Sequence, residues 1–324
     1  MAKKSTKKKK VTKKEFKAVV EDPKKIQSIF SVASALVDEV QLNISKSGIN
    51  CVAIDSSRVG MLIVDLPPAF FSTFSTNEKL TWNVSIVDFY KIVNRAKAKN
   101  QLEFYHSEDN DGYFRISILT GKKKRTFRLR QKDIPKEEEE LETSDREKIE
   151  GLEKQLKEAS SGWFVMDPDY FKEIVDDAEI ISDEVDIEVN AAENVLKISA
   201  IDSYGENESV IPLKDEVIAK SNIADDGQGT YAIFHLKETL KMSPVVEDFK
   251  FWMGWNSPLI IESNFKKDAE KLQTGNPGKF LYLLAPRIHD EVIDEDLEDF
   301  TGDEIDAELE EEFEKAQEEM EEEG

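Results

Sequence analysis

One cysteine, Cys51, and three scattered histidines, His106, His235 and His289, are all the thiol and imidazole that 324 residues contain. A lone thiol builds no disulfide framework and suits a reducing compartment. With no second cysteine near any histidine, the ligand spacing of a structural zinc site is missing as well. No apolar run approaches the roughly 18 residues of a membrane span, and the Lys-rich start lacks the apolar stretch of a signal peptide. The expectation is a soluble intracellular protein. Catalytic patterns are also lacking: Gly278-Lys279-Phe280 and Gly121-Lys122-Lys123 miss the rest of a phosphate-binding loop, and the acidic tail does not follow calcium-loop spacing. These absences predict a protein that is not an enzyme and has no cofactor.

Charge is what the chain has in excess, and it is localised. Residues 290–324 hold 20 Asp and Glu against one Lys, whereas residues 1–14 hold eight Lys and no acid. Both ends read as polyelectrolyte arms. The remaining 275 residues are long enough for a sizeable interior.

Within that core the chain repeats itself at a spacing of about 145 residues, too long for a solenoid and suited to a duplicated domain. Asp22-Pro23 recurs as Asp167-Pro168, and Asp38-Glu39-Val40-Gln41-Leu42-Asn43-Ile44 as Asp183-Glu184-Val185-Asp186-Ile187-Glu188-Val189. Ala53-Ile54-Asp55-Ser56 recurs as Ala200-Ile201-Asp202-Ser203, and Thr81-Trp82-Asn83-Val84 less closely as Thr230-Tyr231-Ala232-Ile233.

Asp22 and Pro23 are an N-cap and first-turn pair, and Ile26, Ile29, Phe30, Ala33, Leu36 and Val37 form a stripe, predicting a helix over 23–37. Three antiparallel strands follow over 40–65, then a helix over 85–98 and strands at 101–106 and 113–120. The unit is strand, helix and strand meander, used twice per half and four times per chain, an α+β fold. Equivalent helices are expected at 168–178 and 236–243. The Glu/Lys-rich stretch 136–159 carries Ser144 and Glu147 as a capping box, with Ile149, Leu152 and Leu156 on one face of a short helix.

The outer helix faces are basic where the protein as a whole is acidic. Lys91, Arg95, Lys97 and Lys99 face only Asp88 on the second helix, Lys24 and Lys25 open the first, and Lys172, Lys237 and Lys241 occupy corresponding places in the second half. Such a patch fits sequence-independent contact with phosphates. A further asymmetry is that Lys122-Lys123-Lys124-Arg125, Arg128 and Arg130 close the first half while acids crowd 176–193. Opposite charge at opposite ends favours head-to-tail association, which gives rings when the rotation closes.

Leu36-Val37-Asp38-Glu39, Ser45-Lys46-Ser47-Gly48-Ile49, Ala53-Ile54-Asp55-Ser56-Ser57-Arg58-Val59, Ile92-Val93-Asn94-Arg95-Ala96-Lys97-Ala98-Lys99 and Leu281-Tyr282-Leu283-Leu284-Ala285-Pro286-Arg287-Ile288 resemble the archaeal and eukaryotic sliding clamp, proliferating cell nuclear antigen. The resemblance covers about 15–135 and 162–290. It implies clamp domains over 15–132 and 162–290, a connector over 133–161, and arms at 1–14 and 291–324. It also implies a homotrimeric ring around duplex DNA, built head to tail with helices inside and sheet outside. Such a ring raises polymerase processivity and serves as a docking platform for replication and repair enzymes, with a clamp loader and other enzymes bearing short peptides as partners. No membrane is involved, and the protein is expected on chromosomes, in the cytoplasm or the nucleus according to its source.

Carried over by position, Lys24, Lys25, Lys91, Arg95, Lys97, Lys99, Lys172, Lys237 and Lys241 are expected to face DNA. Ile54, Arg58, Val59, Ile134, Pro135, Pro258, Ala285, Pro286, Arg287 and Ile288 are expected around a groove for partner peptides. The subunit contact is expected between strands 113–120 and 194–201, with Tyr113, Ile116, Ile118, Lys122, Lys123, Lys124, Asp176, Asp177, Val195 and Ile198 taking part. The chain departs from the family in its two charged arms, in the Ser and Gln of its first helix, and in the acidic insertion after Asp133-Ile134-Pro135. Two other readings are a subunit of a heterotrimeric or checkpoint clamp and, from the Glu-rich tail, an acidic chaperone for basic proteins.

Overall fold

The computed structural model describes residues 15–107, 113–130, 144–267 and 276–287, and only the backbone of 144–149. The chain runs through one unit four times. First come β1 (Glu15–Val20), α1 (Pro23–Leu36), β2 (Glu39–Ser45), β3 (Gly48–Ile54), β4 (Gly60–Leu66) and β5 (Thr73–Thr76). The second pass is β6 (Leu80–Ser85), α2 (Ile86–Val93), β7 (Gln101–Ser107), β8 (Phe114–Thr120) and β9 (Lys123–Leu129). After the inserted α3 (Ser144–Ala159) follow β10 (Gly162–Met166), α4 (Pro168–Glu179), β11 (Glu184–Asn190), β12 (Val195–Asp202), β13 (Gly205–Pro212) and β14 (Ile218–Ile223). The last pass is β15 (Gly227–Ala232), α5 (Ile233–Leu240), β16 (Phe249–Met253), β17 (Leu259–Asn264) and β18 (Lys279–Leu284).

The strands form a five-stranded sheet, β5-β1-β7-β8-β9, a four-stranded sheet, β13-β12-β11-β15, and a nine-stranded sheet, β14-β10-β16-β17-β18-β4-β3-β2-β6. The large sheet is the two small ones fused, because β14 to β18 repeat the order of β5 to β9, and β4 to β6 repeat β13 to β15. Its junction is the antiparallel pair β18·β4, with Leu284 opposite Gly60 and Lys279 opposite Asp65. This seam joins the halves into one continuous core.

Local chemistry explains the helices. Asp22 accepts the Lys24 N–H at 3.0 Å and Asp167 accepts those of Asp169 and Tyr170, so both Asp-Pro pairs start helices. Helix α2 ends at Val93, five residues before the periodicity predicts. The Gln27 side chain donates to the carbonyls of Val93 and Ala96, at 2.9 and 2.8 Å, and ties off the helix end from α1. Stacking of Phe30 on Phe89, with centroids 4.1 Å apart, joins the two helices above the sheet. Gly48 turns β2 into β3 at φ +131, where a Cβ would lie 2.2 Å from the Leu66 carbonyl oxygen.

Alternation along β4 sends Leu62 and Val64 into the core under α1. Helices α1 and α2 pack together, α4 packs on α5, and α5 touches α1, so these four form one layer across both halves. No helix among the described residues is long and apolar enough to cross a membrane.

Cys51 lies in this interior, 6 % exposed, and burial pushes its thiol up to about 12. A thiolate is the reactive form. The native protein is therefore expected to leave a disulfide reagent such as DTNB unreacted at pH 8, and to titrate one thiol once denatured. Fast stoichiometric reaction of the native protein would contradict this packing.

Candidate nucleic-acid interface

The bases of the first half converge. Gln27 fastens the start of α1 to the turn after α2, which brings Lys24 beside the segment carrying Arg95, Lys97 and Lys99. All four are exposed, and none has an ion pair among the described residues. Lys91 is exposed and stands 3.9 Å from Asp88. Arg95, Lys97 and Lys99 follow α2 instead of riding on it, a consequence of its early end. Lys25 is a correction: it is 6 % exposed, its Nζ donates to the Lys266 carbonyl at 2.7 Å, and it offers no charge at the surface.

The second half differs. Lys172 pairs with Asp176, Lys237 with Glu179 and Asp176, and Lys241 with Glu238 at 2.5 Å. Hydrogen bonding from Lys172 holds Asp176 below the usual carboxylate range. Helices α4 and α5 with Lys241 carry three bases and six acids, whereas α1, α2 and the turn to Asn100 carry six bases and one acid. Lys172, Lys237 and Lys241 are thus neutralised by neighbours one helical turn away or on the adjoining helix.

The expected subunit strands are corrected too. β8 lies between β7 and β9, and β12 between β11 and β13, so both have their backbone groups already paired. Ile116, Ile118 and Ile198 are core residues, and Val195 opens β12 half-buried. Tyr113 accepts from Arg130 at 2.9 Å, Lys124 pairs with Glu103, and Asp176 serves Lys172 and Lys237. Lys122, Lys123 and Asp177 are exposed. The strands that end sheets are β5, β6, β9, β13, β14 and β15, and two of them carry opposite charge: β9, with Lys123, Arg125 and Arg128, and β13, with Glu206 and Glu208. Sequence reading missed β13 because its acids are two of many.

Arg128 and Glu206 have no ion pair among the described residues, whereas Glu208 is held by Lys197 at 2.6 Å. The Asn207 Oδ1 on β13 is buried without a hydrogen-bond partner among the described residues, a costly state for a polar atom.

At one end of the seam the structure gathers most of the expected groove. The β3–β4 turn presents Ile54, 43 % exposed, and Arg58 at φ +57, with Val59 half-buried. The Val59 carbonyl accepts the Ala285 N–H at 2.8 Å, and Pro258 precedes β17, the next strand. Ala285 and Pro286 are half-buried, while Arg287 is held by Glu184. Ile134, Pro135 and Ile288 lie outside the described residues. Behind the turn, His235 on α5 shares a 2.8 Å hydrogen bond with the Tyr282 hydroxyl and lies 3.9 Å from Asp55. Burial holds His235 below the ordinary histidine range, although Asp55 and Glu238 act against it. Gly60 is required there, since a Cβ would meet that hydroxyl at 2.6 Å.

The family model described as "Proliferating cell nuclear antigen, N-terminal domain" matches residues 16–140. A protein named DNA polymerase sliding clamp from Thermococcus fumicolans is 28 % identical over 276 residues, covering 85 % of this chain and 99 % of that one. DNA polymerase sliding clamp 1 of Thermococcus kodakarensis gives the same values. In fold, the chain is similar to the crystal structure of PCNA from Thermococcus kodakaraensis, with TM-score 0.69 at 20 % identity over 84 % of this chain and 100 % of that one. The fourfold unit, the fused seam sheet and a match spanning almost the full length of these relatives point one way: residues 16–140 match the N-terminal domain of proliferating cell nuclear antigen, and the chain as a whole is similar to DNA polymerase sliding clamps.

Proposed function

We propose that this protein is a DNA sliding clamp. Three copies join head to tail into a ring, with α1, α2, α4 and α5 toward the hole and the sheets outside. Duplex DNA runs through the hole, and polymerase and other DNA enzymes dock by short peptides at the groove around Ile54 and Val59. The number three follows from the family resemblance. The protein performs no bond chemistry. It converts a bimolecular encounter of polymerase with DNA into a tethered one, through effective concentration.

One observation carries this reading: the chain contains a paired copy of the junction its open edges need. β9 occupies the position of β18, and β13 that of β4, so β9 of one copy and β13 of the next would repeat β18·β4. Matching the meanders strand by strand sets Leu129 opposite Gly205, Phe127 opposite Asn207, Arg128 opposite Glu206 and Thr126 opposite Glu208. The joined edge would be a nine-stranded sheet like the one at the seam. It would bury two exposed strand edges, which otherwise invite uncontrolled pairing. A Cβ at Gly205 meets only the Ile181 side chain, at 3.5 Å, leaving the space that Tyr282 fills beside Gly60.

A ring has a topological signature. On linear duplex with biotin at both ends, the protein is expected to thread on, and streptavidin added afterwards should trap it through a high-salt wash. A closed circle of the same sequence should retain none. Equal retention on circle and linear duplex would reduce the protein to an ordinary DNA binder. Removing residues 291–324 should leave trapping intact, whereas a chaperone working through its acidic tail would lose its activity.

A further inference from the structure

Helix α3 lies on the face of the seam sheet opposite α1. While Leu62 and Val64 point under α1, Met61 and Ile63 point the other way and join Ile260, Leu281, Leu283 and Trp252 in a second apolar cluster. Leu156 of α3 packs onto it.

Charges ring this contact. Lys157 donates to Glu153 at 2.6 Å and to Glu262 on β17 at 2.8 Å, and stands over the Trp252 ring. Lys279 on β18 pairs with Glu153 and approaches Glu262 at 3.5 Å. Trp252 Nε1 donates to Glu262 at 3.1 Å. Burial works to raise both carboxyls, but the hydrogen bonds and charges of Lys157 and Lys279 prevail and hold Glu153 and Glu262 below the usual range. The insertion thus has a built seat, made by alternating helix and strand charges around one leucine.

That seat adjoins the groove. Met61 pairs across β3·β4 with Ile54 and across the seam with Leu283. The end of α3 abuts the turn before Pro258, where a Cβ on Gly254 would lie 3.5 Å from the Ala159 carbonyl and from Ser160. The apolar floor that starts at Ile54 therefore continues under α3. Among the described residues of α3, one leucine and an ion-pair ladder hold the helix there, and such attachments are weaker than an interdigitated core.

We propose that α3 is a displaceable cover on this floor, and that an incoming apolar peptide gains Met61 and Leu283 by pushing Leu156 off them. The proposal rests on the docking groove assigned above. The insertion makes peptide docking a competition within the chain, and sets a threshold that only peptides with enough apolar surface cross.

The test uses the full chain with Glu153→Cys and Lys279→Cys, joined by a short bismaleimide while buried Cys51 stays unreacted. The probe is a fluorescein-labelled synthetic peptide with one aliphatic and two aromatic side chains on a helical turn. Pinning α3 should weaken probe binding by about tenfold or more relative to the same variant before crosslinking, and Leu156→Asp should strengthen it by about as much. Hydrogen exchange in α3 should quicken when the probe is added to wild type. Equal affinity with and without the crosslink, with probe bound in both, overturns the cover and leaves the groove standing. If neither wild type nor Leu156→Asp binds the probe, the groove assignment falls and the cover with it.

Discussion

Arg128→Glu is expected to break the ring into single subunits, and Glu206→Arg added to it to restore the ring. The derived register sets these side chains opposite each other across β9 and β13, and neither has an ion pair among the described residues of its own chain. Like charges placed face to face at an interface cost several kcal/mol, and each 1.4 kcal/mol is about tenfold in dissociation constant, so the single change should weaken assembly by about a hundredfold or more. Light scattering across a concentration series measures the shift. Neither residue is buried, so each monomer should keep its melting temperature. Rescue by the double swap separates this pairing from a general loss of edge charge. If Arg128→Glu and Glu206→Arg each leave the oligomer unchanged, the edges meet in another register or not at all.

The second large effect concerns the DNA face. Alanine at Lys24, Arg95, Lys97 and Lys99 together is expected to abolish most trapping on linear duplex. Each phosphate left without its cation should flatten the slope of log affinity against log salt by about 0.9. Alanine at Lys172, Lys237 and Lys241 should change affinity by no more than about twofold, because each lysine is already neutralised by an acid and its exposed pair contributes roughly 0–1 kcal/mol. Fluorescence anisotropy at several salt concentrations reads both. Equal losses from the two sets would place the phosphates along the whole helix layer, and no loss from either would move DNA off this face. In the proposed ring this asymmetry would give a wall of alternating sign, attractive at one patch per subunit and neutral or repulsive between them, so that no continuous contact has to be broken for sliding.

Much of this was legible in the chain itself. The Asp-Pro pairs announce the starts of α1 and α4 because capping is local, needing only a carboxylate two or three residues from free N–H groups. The connector helix shows in Leu152 and Leu156, though its seat on Met61 and Leu283 does not. Other features were out of reach. The early end of α2 depends on Gln27, 66 residues away from Val93 in the chain. Lys25 looks like any surface lysine until its amine is seen on the Lys266 carbonyl. The choice of 113–120 and 194–201 as contact strands failed because alternation marks a strand without saying whether it is central or at an edge.

The order of residues by itself determined the duplication, the repeating strand–helix–meander unit, the caps, and the charge of each segment. These follow from periodicity and from neighbours a few positions apart. Only the tertiary structure decided which strands end the sheets, which lysines keep an unneutralised charge, and which face α3 covers. Those outcomes depend on pairings between residues tens to hundreds of positions apart, and a charge or a hydrogen-bonding edge acts on a partner only after folding has established what stands beside it.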